Sequence, residues 1–263
     1  MVNVRAIKLG KKAPKVDPRT LKLSKYTASL PTPPESVDWT KGVTSWGMMD
    51  NDTLGDCVCA MTGHGVQVAT LNSPDSEVTP PDSAILNLYE GACGYVPGNE
   101  STDQGCVIVD TLNWVRNNIP WTHKGHPVHH HPYQLFAYAD PDPSNISHIK
   151  QAIATFGTLG IGLQLPVTAQ NQVGGLWDVV GDGQTGDSAP GSWGGHAVIV
   201  PAYNADYLTC ITWGALQKMS YAFFATYVDE AHALLYRAWV QQFGSQYPEM
   251  LAQLEADLQV VTG

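Results

Sequence analysis

The period of the hydrophobic pattern changes along this chain, and the order of the changes constrains its fold more than any other feature. From Asp56 onward, Cys59, Ala60, Gly63, Val66 and Gln67 recur at three-to-four spacing behind a good N-cap residue, which predicts a helix. Pro80-Pro81-Asp82 starts a second short helix through Tyr89, and Val107, Leu112 and Val115 mark a third that ends before Pro120. Ser144 caps a fourth over 145–156, with Ile146, Ile149, Ile153 and Phe156 on its apolar face. Beyond Gly157 the signals become strand-like. Thr158–Leu165 is dense in Leu, Ile and Gly, and His196–Val200 followed by Tyr207–Trp213 reads as a β-hairpin. Residues 219–242 return to helical spacing through Phe224, Tyr227, Val228, Ala231, Leu234, Leu235 and Ala238, and a last helix covers about 248–261. Helices first, strands later and helices last argue for an α+β fold rather than alternating α/β.

Composition narrows the class further. Hydrophobic residues at 43% of 263 exclude a disordered chain, and no apolar run approaches the roughly 20 residues of a membrane span. Charged residues make up only 14%, against roughly 25% in an average domain, so the surface leans on small polar residues. The net charge of −10 is unevenly spread. Residues 1–25 hold eight basic residues against Asp17, while the remainder is strongly acidic. A basic arm, residues 1–29, therefore precedes an acidic body. Such an arm docks on something acidic (nucleic acid, a partner subunit or its own body) or stays a solvated tail. Its start lacks the apolar stretch of a secretory signal, and the expectation from this is a protein of the cytoplasm or of an assembled particle. Five cysteines, an odd count, favour a reducing compartment in which a cysteine is catalytic or buried rather than bridged; Cys93 and Cys106 bracket a turn-rich loop that could bring them together.

One segment carries chemistry. In Asn51-Asp52-Thr53-Leu54-Gly55-Asp56-Cys57 a cysteine falls in the first turn of a helix, where free N–H groups and the helix dipole favour a thiolate. The Asn51 amide, six residues earlier, can join the Cys57 backbone N–H in holding an oxyanion. A second segment, Gly194-Gly195-His196-Ala197-Val198, sets a histidine at the start of a strand beside glycines that leave its ring accessible. A cysteine activated by a distant histidine is the arrangement for nucleophilic acyl transfer. Cys59, two positions on, points into the core.

These segments, with Leu30–Trp39, Asp103–Leu112 and Thr212-Trp213-Gly214 in the same order, resemble the papain-like cysteine peptidases over about residues 30–215. The resemblance implies a helical half over about 30–120, a β-rich half over about 121–215, and here a helical extension over 216–263. It also implies a thiol hydrolase cleaving peptide or related amide bonds without a cofactor. Cys57 would attack, His196 would shuttle the proton and Asn51 would help to hold the oxyanion. Asn51 stands where the family has glutamine, Val58 where it has tryptophan, and Asp56 where it has a small neutral residue, so a charged Asp56 would raise the thiol pKa. The asparagine that orients the family's histidine is absent. Counting from His196 puts Thr212 there, able to accept from the imidazole; anchoring on Trp213-Gly214 puts Ile211 there.

The rival reading is a papain-fold binding or structural protein with reduced activity, such as a component of a viral particle. Under it, the arm and the C-terminal helices serve homo- or hetero-oligomeric assembly or nucleic-acid contact, and Tyr221, Phe223, Tyr236 and Trp239 supply interface surface. Two further clusters read as loops: His123, His126, His129, His130 and His131 in one short segment, and Asp178, Asp182 and Asp187 without calcium-loop spacing.

Overall fold

The computed structural model describes residues 7–74, 77–118 and 133–262. The helices are α1 (Cys57–Leu71), α2 (Asp82–Cys93), α3 (Ile108–Asn117), α4 (Ile146–Phe156), α5 (Tyr221–Tyr227), α6 (Arg237–Phe243) and α7 (Pro248–Thr262). The strands are β1 (Leu21–Lys22), β2 (Val37–Asp38), β3 (Leu135–Asp140), β4 (Leu159–Leu165), β5 (Leu176–Trp177), β6 (Gly194–Tyr203), β7 (Tyr207–Thr212), β8 (Ala215–Ser220) and β9 (Val228–Tyr236). The strands join one sheet in the order β1-β3-β9-β4-β6-β7-β8-β5, with β2 on β6. The helices α1 to α3 come before the long strands, as the hydrophobic period requires, and the fold is α+β.

Helix α1 is the hub. Every residue from Cys57 to Thr70 is buried, so the helix has no wet face and must be enclosed by other elements. It packs on β6, which brings the start of α1 beside the start of β6. Glycine makes one close approach possible: a Cβ on Gly65 would lie 2.4 Å from the Tyr236 hydroxyl. Helix α4 ends at Gly157, whose φ of 73° is left-handed, and Trp239 covers that turn while its indole N–H donates to the Thr155 carbonyl at 2.8 Å.

Four expectations need correction. The helical extension starts at Arg237, not at 216, because 215–220 and 228–236 are strands. Strand β9 lies between β3 and β4, and its residues from Glu230 to Tyr236 are all buried, so apolar residues occupy successive positions and mimic a helical stripe. Phe223, Tyr236 and Trp239 are core residues, which removes them from any interface. Asn145, not Ser144, caps α4, its side chain accepting from the Ser147 and His148 backbone N–H groups. Finally, Cys93 and Cys106 form a disulfide that closes the loop between α2 and α3. Asp182 folds a local turn through Gln184, Thr185 and Ser188. The His123–His131 cluster lies outside the described residues.

The arm is not a free tail. Among the docking choices open to it, residues 7–25 take their own body. Strand β1 pairs in parallel with β3, and Lys8, Lys15 and Lys22 meet Asp103, Asp110 and Asp140 at 2.7–2.9 Å.

Candidate active site

Cys57 opens α1 and is fully buried. Its thiol is pushed up to about 11, first by burial; the backbone N–H groups of Gly10 and Ala197 point at the sulfur and pull the other way. Asp56 precedes it at the N-cap position, yet its carboxylate makes no capping bond. Instead Asp56 Oδ1 accepts from Asn51 Nδ2 at 3.0 Å, and burial raises this carboxyl well above the usual carboxylate range. The carboxyl is therefore held toward its neutral form, and the charged Asp56 expected beside the thiol is replaced by a buried acid. The Asn51 amide has one hydrogen on Asp56 and a second left for another acceptor.

His196 lies on β6, in register with Leu163 of β4, and is fully buried. Its Nε2 meets Thr212 Oγ1 at 2.7 Å, and Trp213 stacks on the ring at 4.7 Å between centroids. Of the two alternatives in the sequence, Thr212 and not Ile211 is the residue on the imidazole. Backbone geometry explains why: Ile211 pairs with Ile199 across the β6–β7 ladder, and Thr212 is the last residue before a turn in which Trp213 has φ 47°. Nδ1 of His196 is buried without a hydrogen-bond partner among the described residues. Burial holds the ring neutral, lowered to about 3. His196 is followed by Ala197, whose N–H faces the thiol, so the strand that carries the histidine runs past Cys57.

Cys59 points away from this site. Its sulfur lies 3.8 Å from Cys106 Sγ and 4.0 Å from Cys93 Sγ, beneath the disulfide, and its pKa is raised by burial.

The arm crosses the site. Cys106 N–H donates to the Gly10 carbonyl at 2.8 Å, Lys12 N–H to the Cys106 carbonyl at 2.8 Å, and Lys11 N–H to the Gly195 carbonyl at 3.0 Å. Glycines line the track. A Cβ on Gly105 would sit 1.9 Å from the Gly10 carbonyl oxygen, and one on Gly195 would sit 2.1 Å from that of Lys11. Residues 8–12 therefore lie as an extended main chain between the Cys57 side and the His196 side. A cleft of about 630 Å³ lies outside β2, β6, β7 and β8 and holds none of the candidate residues.

Sequence reasoning missed the residues that receive the arm. Lys11 has no exposed side-chain surface; its ammonium lies 2.7 Å from Asp229 Oδ2 and 3.2 Å from Glu230 Oε1. Glu230 Oε2 meets His232 Nε2 at 3.1 Å, and His232 Nδ1 meets Asp140 Oδ1 at 2.6 Å. The signal was present: Asp229, Glu230 and His232 interrupt an apolar run that has to be buried.

No family model matches the sequence, and no curated protein matches it. Solved structures do. Xylellain, a cysteine protease from Xylella fastidiosa, is similar at a TM-score of 0.63 and 15% identity, over 88% of this chain and 97% of its own. A recombinant stem bromelain precursor is similar at 0.56 and 17%, over 88% and 78%. The digestive procathepsin L 3 of Tenebrio molitor larval midgut is similar at 0.53 and 14%, over 88% and 77%. Each is similar in fold across nearly the whole of this chain.

Proposed function

We propose that this chain, built on the papain-like fold, is a thiol hydrolase that cleaves peptide or related amide bonds and is held closed by its own residues 8–12. One observation carries the reading. His196 has Nε2 bound to Thr212 and a buried, unpartnered Nδ1, on the strand whose next N–H faces the Cys57 thiol. That leaves one ring nitrogen fixed and the other available to take a proton, which a general base requires.

With the arm lifted, Nδ1 takes the Cys57 proton and the thiolate attacks the carbonyl carbon. The oxyanion is met by the Cys57 N–H, which has no partner within the helix at this first-turn position, and by the second hydrogen of Asn51 Nδ2. The imidazolium returns its proton to the leaving amine as the C–N bond breaks. Water, deprotonated by the same nitrogen, then cleaves the thioester and frees Cys57. Thr212 accepts from Nε2–H and holds the ring in the tautomer that leaves Nδ1 free.

In the closed state burial keeps the thiol and the imidazole neutral, and the main chain of the arm lies over them. That dryness is also what a papain-fold binding protein of reduced activity would have, the second reading. An epoxide inhibitor of papain-like enzymes separates the two. Labelling of Cys57 in a chain whose arm has been weakened, absent in Cys57→Ala, supports the hydrolase. An unlabelled Cys57 in an open, folded chain supports the binding protein.

A further inference from the structure

We propose that Asp229 and Glu230 select for peptides with a lysine or arginine side chain at the position that Lys11 now holds. This rests on the reading of the cleft as a peptide-binding site and adds its substrate class.

The contacts of residues 10–12 separate into two kinds. The bonds to Cys106 and Gly195 are made by main-chain atoms, so any extended peptide can form them. The contact that depends on residue type is the Lys11 side chain. Its stem passes the α-carbon of Gly162, where a Cβ would lie 2.1 Å from Lys11 Cε and 2.7 Å from Glu230 Cγ. Its ammonium then reaches Asp229 and Glu230. Lysine is almost never fully buried without a partner, because an ammonium taken out of water loses its hydration. Here two carboxylates offset that loss.

The remaining neighbours show why the pocket needs a cation. Glu230 has Oε2 on His232, and its Oε1, without a hydrogen-bond partner among the described residues, lies 3.2 Å from the Lys11 ammonium as an ion pair. Asp229 Oδ2 also accepts from Gln164 Nε2 at 2.6 Å, while its Oδ1 is buried without a hydrogen-bond partner. Lys22 is committed to Asp140 at the outer end of the cluster. When Lys11 withdraws, two carboxylates face the vacated position. A leucine there leaves them unpaired, and a glutamate adds a third negative charge. A lysine or arginine restores the pairing. By contrast, the Lys8–Asp103 pair has a half-exposed ammonium, so solvent screens it and it adds little selectivity.

The test reads binding and not turnover. Full-length Lys11→Glu, whose own arm no longer suits the pocket, is titrated by fluorescence anisotropy with a labelled hexapeptide copying residues 8–13. Three further peptides carry arginine, leucine or glutamate at the Lys11 position. Lys11→Ala is run beside it, since it removes the ammonium without adding a charge. The lysine and arginine peptides should bind about 30-fold or more tightly than the leucine peptide, the scale for leaving a buried charge unpaired. Asp229→Asn and Glu230→Gln, each in the Lys11→Ala background, should reduce that ratio. Equal binding of lysine and leucine peptides, a ratio that survives both changes, or no binding by any peptide overturns the proposal. Selective binding with an epoxide-resistant Cys57 would remove the hydrolase and leave this selectivity standing. A labelled Cys57 without basic selectivity would do the reverse.

Discussion

Gly10→Ala adds one methyl group to the arm and nothing to the site that the arm covers. An ideal Cβ at Gly10 would lie 1.7 Å from the Gly55 carbonyl oxygen and 2.3 Å from the carbonyl carbon. Both are backbone atoms just before α1, and they cannot turn aside as the end of a flexible side chain does. Residues 8–12 therefore have to lift, and water reaches Cys57. The thiol, pushed up to about 11 mainly by burial, relaxes toward its ordinary value of 9.0. Well below the pKa each unit is tenfold in thiolate, so the reactive fraction at pH 7.5 rises about a hundredfold. Any ion pair that Cys57 then forms with a rehydrated His196 adds to this. The assay is alkylation of the full-length chain with limiting iodoacetamide between pH 6 and pH 10, mapped by peptide mass. Cys57→Ala serves as the blank, and the buried Cys59 and Cys210 as internal references. Cys57 should be slow in the parent chain, gaining about tenfold per pH unit across the upper range, and about a hundredfold faster in Gly10→Ala at pH 7.5. Equal rates in the two chains, with Gly10→Ala still folded, would refute the claim that the arm keeps this thiol dry. So would a parent profile that levels off near pH 8.5.

Three further outcomes are expected. Thr212→Val removes the acceptor from His196 Nε2 and should lower peptide hydrolysis by the open chain about 10- to 100-fold at little cost in KM, with Thr212→Ser restoring most of it; unchanged turnover would count against Thr212 as the orienting residue. His64 is buried with Nε2 on the Gly47 carbonyl and is lowered to about 4, so it stays neutral when folded while its unfolded form, near 6.5, takes up a proton as pH falls. Its contribution is present above pH 6.5 and is lost as pH falls toward 4, so the stability of the parent relative to His64→Gln, from urea unfolding, should drop by about 2 kcal/mol between pH 7.5 and pH 5; a pH-independent difference would contradict it. Reducing Cys93–Cys106, which closes a loop of sequence separation 13, should cost about 3 kcal/mol in the same assay, and an unchanged midpoint would contradict it.

Some of this was legible in the sequence for physical reasons, and some was not. Cys57 and His196 stood out because each sits at the start of an element with a strong local signal, a helix behind a good N-cap residue and a glycine-led strand. Thr212 was legible only as one of two registers, because a turn of one or two residues shifts the count and a hydrogen bond decides it. Strand β9 was misread because a central strand buried on both faces loses its alternation, and its apolar residues then satisfy a helical template as well. That error hid Asp229, Glu230 and His232, whose meaning depends on which face of a strand they occupy. The charge of the arm was legible, but its destination was not. Charge states that a segment seeks acids, and only the folded surface states which. The Cys93–Cys106 bridge ran against the expectation drawn from an odd cysteine count, since one bridge and three buried thiols satisfy that count equally well.

The arm is pinned at both ends of its path, by β1 against β3 and by residues 8–12 across the cleft, with residues 12–19 largely exposed between them. A segment tethered this closely presents itself to the cleft at an effective concentration on the order of millimolar. A free peptide with equal contacts, present at about micromolar levels, would therefore hold the cleft about one part in a thousand of the time. Severing the chain anywhere between Lys12 and Arg19 would break none of the contacts of residues 8–12. It would, however, turn a unimolecular equilibrium into a dissociation, and from then on dilution alone would decide whether the cleft is open.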